Sequence, residues 1–388
     1  MLQLFSDSRF KDWQKFGIDD NDPNLILKGD NLPILEALLP GFEGKVKLIY
    51  IDPPYNTGSG AFWYHDRRTH EAWLEFMRER LVVAWKLLSE NGSLFIQTDD
   101  AENAYLKVLC DELFGRELFR EHIILKSSTE SGVNAVNVKR GERLFKVKEH
   151  ILLYAKSKSF RFKPFFTKAA FNFNYKYEVL PKGNGFEINN LSKELNKEQL
   201  EKYCLKNPKY IYSLEKNIKK AGEKFKAFAS FNKEKGIVES FENSFGRINL
   251  MYDGGVLVPL NERIISENGQ NYFGILSSDL WVDIGTTPAN EGGTRFPNGK
   301  KNEKLLKRII EMASEKGDLI LDFFLGSGST AAVAHKLERQ YIGIELQDYA
   351  ENDSVVRLRN VTSGETSGIS KTVNWEGGGG FYVGKFEC

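Results

Sequence analysis

Four consecutive residues, Asp52-Pro53-Pro54-Tyr55, set a carboxylate and an aromatic ring at the two ends of a proline pair. Each proline fixes φ and removes a backbone donor, so the segment is stiff and its carbonyls remain acceptors. A bracket of this kind suits a planar amine. The carboxylate and a proline carbonyl accept its two N–H groups while the ring stacks on its face. Holding both hydrogens favours a pyramidal nitrogen whose lone pair points at an electrophile. A tight turn capping a strand uses similar residues, because Asp-Pro is common there. These four residues alone do not separate the two readings.

A second segment, Asp322-Phe323-Phe324-Leu325-Gly326-Ser327-Gly328-Ser329-Thr330, reads as a glycine turn between a strand and a helix. Glycines let backbone approach a ligand closely, and a helix N-terminus favours an anion such as a carboxylate. Glu345 follows Asp322 by 23 positions, at the end of the next strand. An acid placed there typically accepts from ribose hydroxyls. Where a dinucleotide fingerprint would carry its third glycine stands Ala331. A nucleoside without a pyrophosphate therefore fits better than a nicotinamide dinucleotide.

The elements that must position these segments follow from periodicity. Leu25–Leu27, Val46–Ile51, Ser93–Gln97 and His150–Ala155 are apolar runs of strand length. Pro33–Leu39, Thr69–Leu88 and 102–114 carry helical spacing, and Asn91-Gly92 is expected to stop the second of these helices. A helix from Asn302, a strand from Leu319 to Phe324, a helix from Ser329 to Leu337 and a strand from Tyr341 to Glu345 complete a βαβ unit. The alternation predicts an α/β fold with a mainly parallel sheet. Both chemical segments fall at the C-terminal ends of strands, where open α/β sheets place ligands. Between Lys156 and about Leu280 the rhythm breaks. There Phe171, Phe173, Tyr175 and Tyr177 alternate with polar residues and suggest a strand with one packed aromatic face.

Composition narrows the function classes. The chain has 388 residues, 41% hydrophobic and 28% charged, with a net charge of +1. No apolar run reaches membrane-spanning length, and Met1–Asp20 lacks a signal-peptide plan, so a cytoplasmic protein is expected. Cys110, Cys204 and Cys388 are scattered, and His65, His70, His122, His150 and His335 form no ligand pair. Neither a metal site nor cysteine chemistry is expected. Residues 116–236 hold 27 Lys and Arg against 13 Asp and Glu. Such a stretch marks either a polyanion-binding module or a solvated insertion.

Taken together, these residues resemble the amino-methyltransferases of DNA, whose signatures are D-P-P-Y and F-x-G-x-G. The first corresponds to Asp52–Tyr55 and the second to Phe324, Gly326 and Gly328. With the catalytic motif ahead of the cofactor motif and a long insertion between, the order resembles the β class. Its chain is a circular permutation of the Rossmann-like, S-adenosylmethionine-dependent methyltransferase fold. Lys28-Gly29-Asp30-Asn31 is similar to the early cofactor motif, Phe296-Pro297 with Lys304-Leu305 to the segment ahead of the glycine motif, and Glu149-His150 to Lys156 to the strand closing the base pocket. Asn56-Thr57-Gly58 and Trp375-Glu376 with Gly377–Gly380 look like the modification subunits of type III restriction systems and their standalone relatives.

The resemblance implies transfer of methyl from S-adenosylmethionine to the N6 amine of a flipped adenine in double-stranded DNA. The catalytic group would be Asp52, Pro53, Pro54 and Tyr55. The cofactor would be held by Asp30, Phe296, Asp322, Phe324, Gly326, Ser327, Gly328, Ser329, Thr330 and Glu345, without a metal. N4-cytosine methylation and a non-catalytic DNA-recognition subunit are the alternatives. A homodimer and a restriction subunit are the partners the resemblance allows. The implied organisation is a catalytic half (1–155), a basic target-recognition region (156–285), a cofactor half (286–350) and a C-terminal extension (351–388).

Overall fold

The computed structural model describes residues 2–17, 24–58, 67–130, 138–142, 144–243, 246–267, 269–296 and 299–387. His65, Pro297 and Cys388 lie outside them. Two units are formed, Met1–Pro164 with Ser278–Cys388, and Phe165–Ser277.

The strands of the first unit are β1 (Phe10–Gly17), β2 (Asn24–Lys28), β3 (Val46–Ile51), β4 (Leu88–Thr98), β5 (Phe119–Lys126), β6 (Lys148–Ala155), β7 (Leu280–Trp281), β8 (Leu319–Asp322), β9 (Gln340–Glu345) and β10 (Gly380–Phe386). They form one sheet in the order β1-β10-β2-β9-β8-β3-β4-β6-β5-β7. From β10 through β4 all neighbours are parallel. Val46, Leu48, Ile49 and Ile51 of β3 are fully buried, as expected of a central strand covered on both faces. Six helices matter here: α1 (Asn31–Phe42), α2 (His70–Leu87), α3 (Asn103–Phe114), α4 (Glu303–Ala313), α5 (Ser329–Lys336) and α6 (Ser354–Thr362). Asp30 and Thr69 cap α1 and α2 by accepting from Leu32 N and Ala72 N.

One pairing decides the position of the site. β8 lies beside β3 in parallel, with Ile320 opposite Leu48 and Leu321 opposite Ile49. The segments that follow these strands, some 270 residues apart in sequence, therefore leave the sheet side by side at the same edge. The fold is a Rossmann-like α/β fold in circularly permuted order.

Several expectations need correction. Asn91-Gly92 lies within β4, and α2 already stops at Leu87; the β3–β4 register shifts there, between the pairs Val46–Leu88 and Leu48–Ser93. The sheet is mainly parallel, as expected, with β6 running antiparallel to β4 and β5. The segment after Gln347, for which the periodicity named no elements, carries α6, and β10 pairs with β2 in parallel.

The second unit contains a six-stranded and a three-stranded sheet. Its residues include 17 Lys and Arg against 13 Asp and Glu. The cation-rich stretch therefore begins in the first unit and is not a property of the second alone. Phe171 and Tyr175 are buried in the second unit's core with Phe273, as packing residues, and only Tyr175 and Tyr177 lie on the strand Tyr175–Lys182.

Candidate active site

Stiffness at the end of β3 comes from more than the two prolines. The Pro54 carbonyl accepts from the indole Nε1 of fully buried Trp73 at 2.7 Å. That carbonyl is thus engaged, and the Pro53 carbonyl accepts no hydrogen bond from the described residues. Of the two proline carbonyls expected as acceptors, Pro53 is the one left for an amine. Asn56 continues the loop at φ 60°, a left-handed conformation that asparagine tolerates. Its amide donates to Glu102 Oε1 at 2.8 Å and its oxygen accepts from Arg68 N at 2.8 Å.

Asp52 does not stand alone. The Tyr55 hydroxyl lies 2.5 Å from Asp52 Oδ1 and 2.8 Å from Glu149 Oε2, so its single proton serves one of the two at a time. Gln97 donates to Glu149 at 2.6 Å, and Tyr50 donates to Gln97 at 2.5 Å. The ammonium of Lys301 completes the cluster, at 3.1 Å from Asp52 Oδ1, 2.9 Å from Glu149 Oε2 and 2.7 Å from the Tyr55 oxygen. Burial pushes the Asp52 carboxyl up, Lys301 partly offsets it, and the group titrates at about 6. Burial also acts upward on Glu149, but Lys301, Gln97 and Tyr55 outweigh it and bring that carboxyl to about 2. The pair divides the labour: Glu149 holds the permanent charge, and Asp52 is the acid that titrates.

A pH dependence follows. Protonation of Asp52 replaces an acceptor by a donor, so whatever amine it holds is lost as pH falls through about 6. At saturating cofactor, kcat/KM toward the amine substrate should fall about tenfold per unit on the acid side. A rate flat between about pH 5 and about pH 8 would show that Asp52 is not the acceptor.

The glycine segment is organised by the two acids that flank it. Asp322 accepts from Phe324 N at 3.0 Å and from the Thr330 hydroxyl at 2.6 Å. Glu345 accepts from Gly326 N at 2.7 Å and from Gln347 N at 2.8 Å. Both carboxylates therefore tie the turn together, and each keeps further lone-pair positions for a ligand. Burial raises Asp322 to about 7 and raises Glu345 as well. Gly328 caps α5 at φ 78°, and a Cβ there would come within 2.9 Å of the Ser354 Cβ. Glycine is required on both counts. Beside the turn, Phe296 meets Tyr349 edge-on at 4.8 Å, and Arg80 reaches Asp30 at 3.0 Å and Asn31 at 2.5 Å.

Both segments open into one cavity of about 450 Å³. Asp52 and Pro54 line it from β3; Asp322, Phe324, Gly326, Ser327, Ser329 and Thr330 from the glycine segment; Asp30, Phe296 and Glu345 complete the wall. Pro53, Tyr55 and Gly328 do not line it. Lys304, which the sequence suggested for this wall, is exposed on α4. Lys301 takes that place, Asn31 of the early motif joins the wall, and Arg80 and Tyr349 are further wall residues that the motifs did not single out. Among the described residues no cluster of His, Cys, Asp and Glu could hold a metal.

The wall suits an S-adenosylmethionine-sized ligand. It brings buried acids, aromatic rings and a helix N-terminus into one space, against a cofactor carrying two positive centres, a carboxylate, ribose hydroxyls and a purine. The fold is of the Rossmann-like type, with the two segments on one cavity. The chain belongs to the DNA methylase family, whose model matches residues 46–355, and that family is S-adenosylmethionine-dependent. It is similar to the probable type III restriction-modification enzyme HindVI Mod subunit of Haemophilus influenzae, 38% identical over 92% of this chain and 53% of that protein. The type III restriction-modification enzyme StyLTI Mod subunit of Salmonella typhimurium is 29% identical over 82% of this chain and 51% of its own. The chain spans about half the length of these relatives. Among solved structures, the PvuII DNA methyltransferase (cytosine-N4-specific) aligns with a TM-score of 0.49 at 13% identity, over 91% of this chain and 92% of that one.

Proposed function

We propose that this chain methylates adenine N6 in double-stranded DNA as the modifying component of a restriction-modification system. The observation that carries the reading is the shared cavity: an amine-accepting carboxylate and the glycine turn line one space, although their segments are distant in sequence. The DNA methylase family and the Mod subunits similar to this chain support the substrate class.

S-adenosylmethionine would supply an electrophilic methyl on a sulfonium, held by Asp30, Phe296, Asp322, Phe324, Gly326, Ser327, Gly328, Ser329, Thr330 and Glu345. Asp52 and the Pro53 carbonyl accept the two amine hydrogens, and Tyr55 offers its ring to the base. The bracket's stiffness keeps the nitrogen oriented, which proximity rewards by several kcal/mol. Asp52 need not deprotonate a neutral amine beforehand; the proton leaves after transfer. The Phe165–Ser277 unit, with its flanks, is the proposed target-recognition region, and a restriction subunit and a second copy of the chain are the proposed protein partners. No helix of the described residues is long and apolar enough to cross a membrane.

The test is to methylate plasmid DNA with purified protein and radiolabelled cofactor, then to map modified bases by single-molecule sequencing. N6-methyladenine at one recurrent site is the expected outcome; N4-methylcytosine or no transfer would overturn the reading. A second expectation concerns the cation-rich stretch. Phosphate contacts release counterions, so DNA affinity should drop by about a thousandfold or more between about 50 and 200 mM salt. A salt-independent Kd would remove residues 116–236 as the phosphate contact.

A further inference from the structure

The cavity ends at Lys301. That residue lines the wall, whereas Tyr55 and Glu149, the two groups behind it, do not. Its ammonium lies within 3.1 Å of oxygens on Asp52, Tyr55 and Glu149, three acceptors for three N–H donors. It lies at the hydroxyl end of Tyr55, 2.7 Å from the oxygen and 4.9 Å from the ring centroid, off the ring face. The acceptor meant for an amine is thus taken by an amine of the chain itself.

The neighbouring residues show which part of Lys301 can move. Lys300 donates to the carbonyls of Ala289, Glu291 and Thr294 at 2.7, 2.9 and 3.0 Å, and its ammonium is buried. Asn302 caps α4 through Lys304 N and donates to the Thr286 carbonyl at 3.1 Å. The backbone of Lys301 is therefore pinned on both sides, while its four-carbon stem keeps its torsional freedom. A base whose amine is to reach Asp52 must displace the Lys301 ammonium, 3.1 Å from the carboxylate.

We propose that Lys301 is an internal placeholder for the target amine: it pairs with Asp52 and Glu149 in the protein without DNA, and an incoming base displaces it. The inference rests on the reading of Asp52 as the amine acceptor. In this arrangement the extruded base competes with a tethered cation. Only a base that satisfies Asp52 and covers Tyr55 repays the exchange, so Lys301 sets a threshold for base entry as well as preserving the empty site.

The probe is a duplex with 2-aminopurine stacked beside the adenine identified by the mapping experiment, so that the target keeps its N6 amine and the probe's fluorescence rises when that neighbour is extruded. Lys301→Met removes the ammonium and keeps an unbranched stem; because that cation holds the Asp52 carboxyl down, the comparison is made at about pH 9, where Asp52 stays ionised without it. The expected result is an extruded fraction, relative to stacked base, at least about threefold higher than in the native chain, with a correspondingly lower Kd for the duplex. Lys301→Arg, a cation with more donors, should move both quantities the other way. Should the Met variant fail to fold, as judged by its melting curve, Lys301→Leu carries the same expectation. If Lys301 merely braces Tyr55 and Glu149, the Met variant loses extrusion and Arg restores it; that pattern, or no change in either variant, overturns the placeholder. A native chain that transfers no methyl to DNA would instead sink the underlying reading, so the two failures are distinguishable.

Discussion

Asp52→Ala should lower methyl transfer by at least about a thousandfold while S-adenosylmethionine still binds within a few-fold of the native affinity. The size follows from what the carboxylate does. Removing one preorganised hydrogen-bond partner of a transition state costs about 100- to 1,000-fold, and here the same change leaves Lys301 facing Glu149 without its second acid. The selectivity follows from the fold. Asp52 accepts from no backbone group of the glycine turn, whose own ties run through Asp322 and Glu345. Calorimetry with cofactor and a radiolabel transfer assay on the same preparation check both halves. Parallel loss of cofactor binding and activity would mean that Asp52 is a strand-capping turn residue, the alternative its sequence context left open. Asp52→Asn is the finer probe: it keeps size and one acceptor oxygen, so it should retain more activity than Ala and lose the acid limb near pH 6.

What the sequence disclosed and what it withheld divide along a physical line. β3 and the strand, turn and helix around Gly326 and Gly328 were legible because each is local: an apolar run, a proline pair, a glycine pair at a helix start. Their shared cavity was legible only as an expectation, since it depends on β8 lying beside β3, a pairing between residues far apart in the chain. Pairing of that range also explains the miss at the C-terminus. Gly380–Phe386 is a strand because β2 offers it a parallel edge, from Asn24 opposite Phe381 to Lys28 opposite Lys385, and nothing in its glycine-rich approach announces that. Lys301 was missed for a related reason. Three lysines fall within five residues, Lys300, Lys301 and Lys304, and their roles are set by direction. One turns inward to three carbonyls, one to the acids, one to solvent. Helical phase could have warned against Lys304, which sits beside Leu305 and Leu306 on the solvent side of an amphipathic helix, but no local pattern distinguishes Lys300 from Lys301.

The largest expected effect on stability lies behind the cofactor turn, at Arg357. Its fully buried guanidinium donates to Ser329 Oγ at 2.6 Å and to Glu303 Oε1 at 2.8 Å, with Glu291 Oε1 at 3.8 Å. Glu303 in turn accepts from buried Lys336 at 2.7 Å, and Lys336 also pairs with Glu365. The network binds α4, α5 and α6 to one another at the residue that starts α5. Deleting one partner of such a buried pair strands the other charge in a low-dielectric interior, which costs about 3 to 5 kcal/mol. Arg357→Leu should therefore lower the urea midpoint of the first unit markedly. It should also weaken cofactor binding, because Ser329 loses the bond that orients the first turn of the helix. The double variant Arg357→Leu with Glu303→Leu removes the paired charges together and leaves Lys336 its partner Glu365. It should recover stability relative to the single change, with a coupling of about 1 kcal/mol or more. Strict additivity of the two substitutions would mean that the arginine contributes packing alone. In that case the position of α5, and with it the glycine turn, must be held by the strand pairing of β8 and β9 rather than by the charges beneath it.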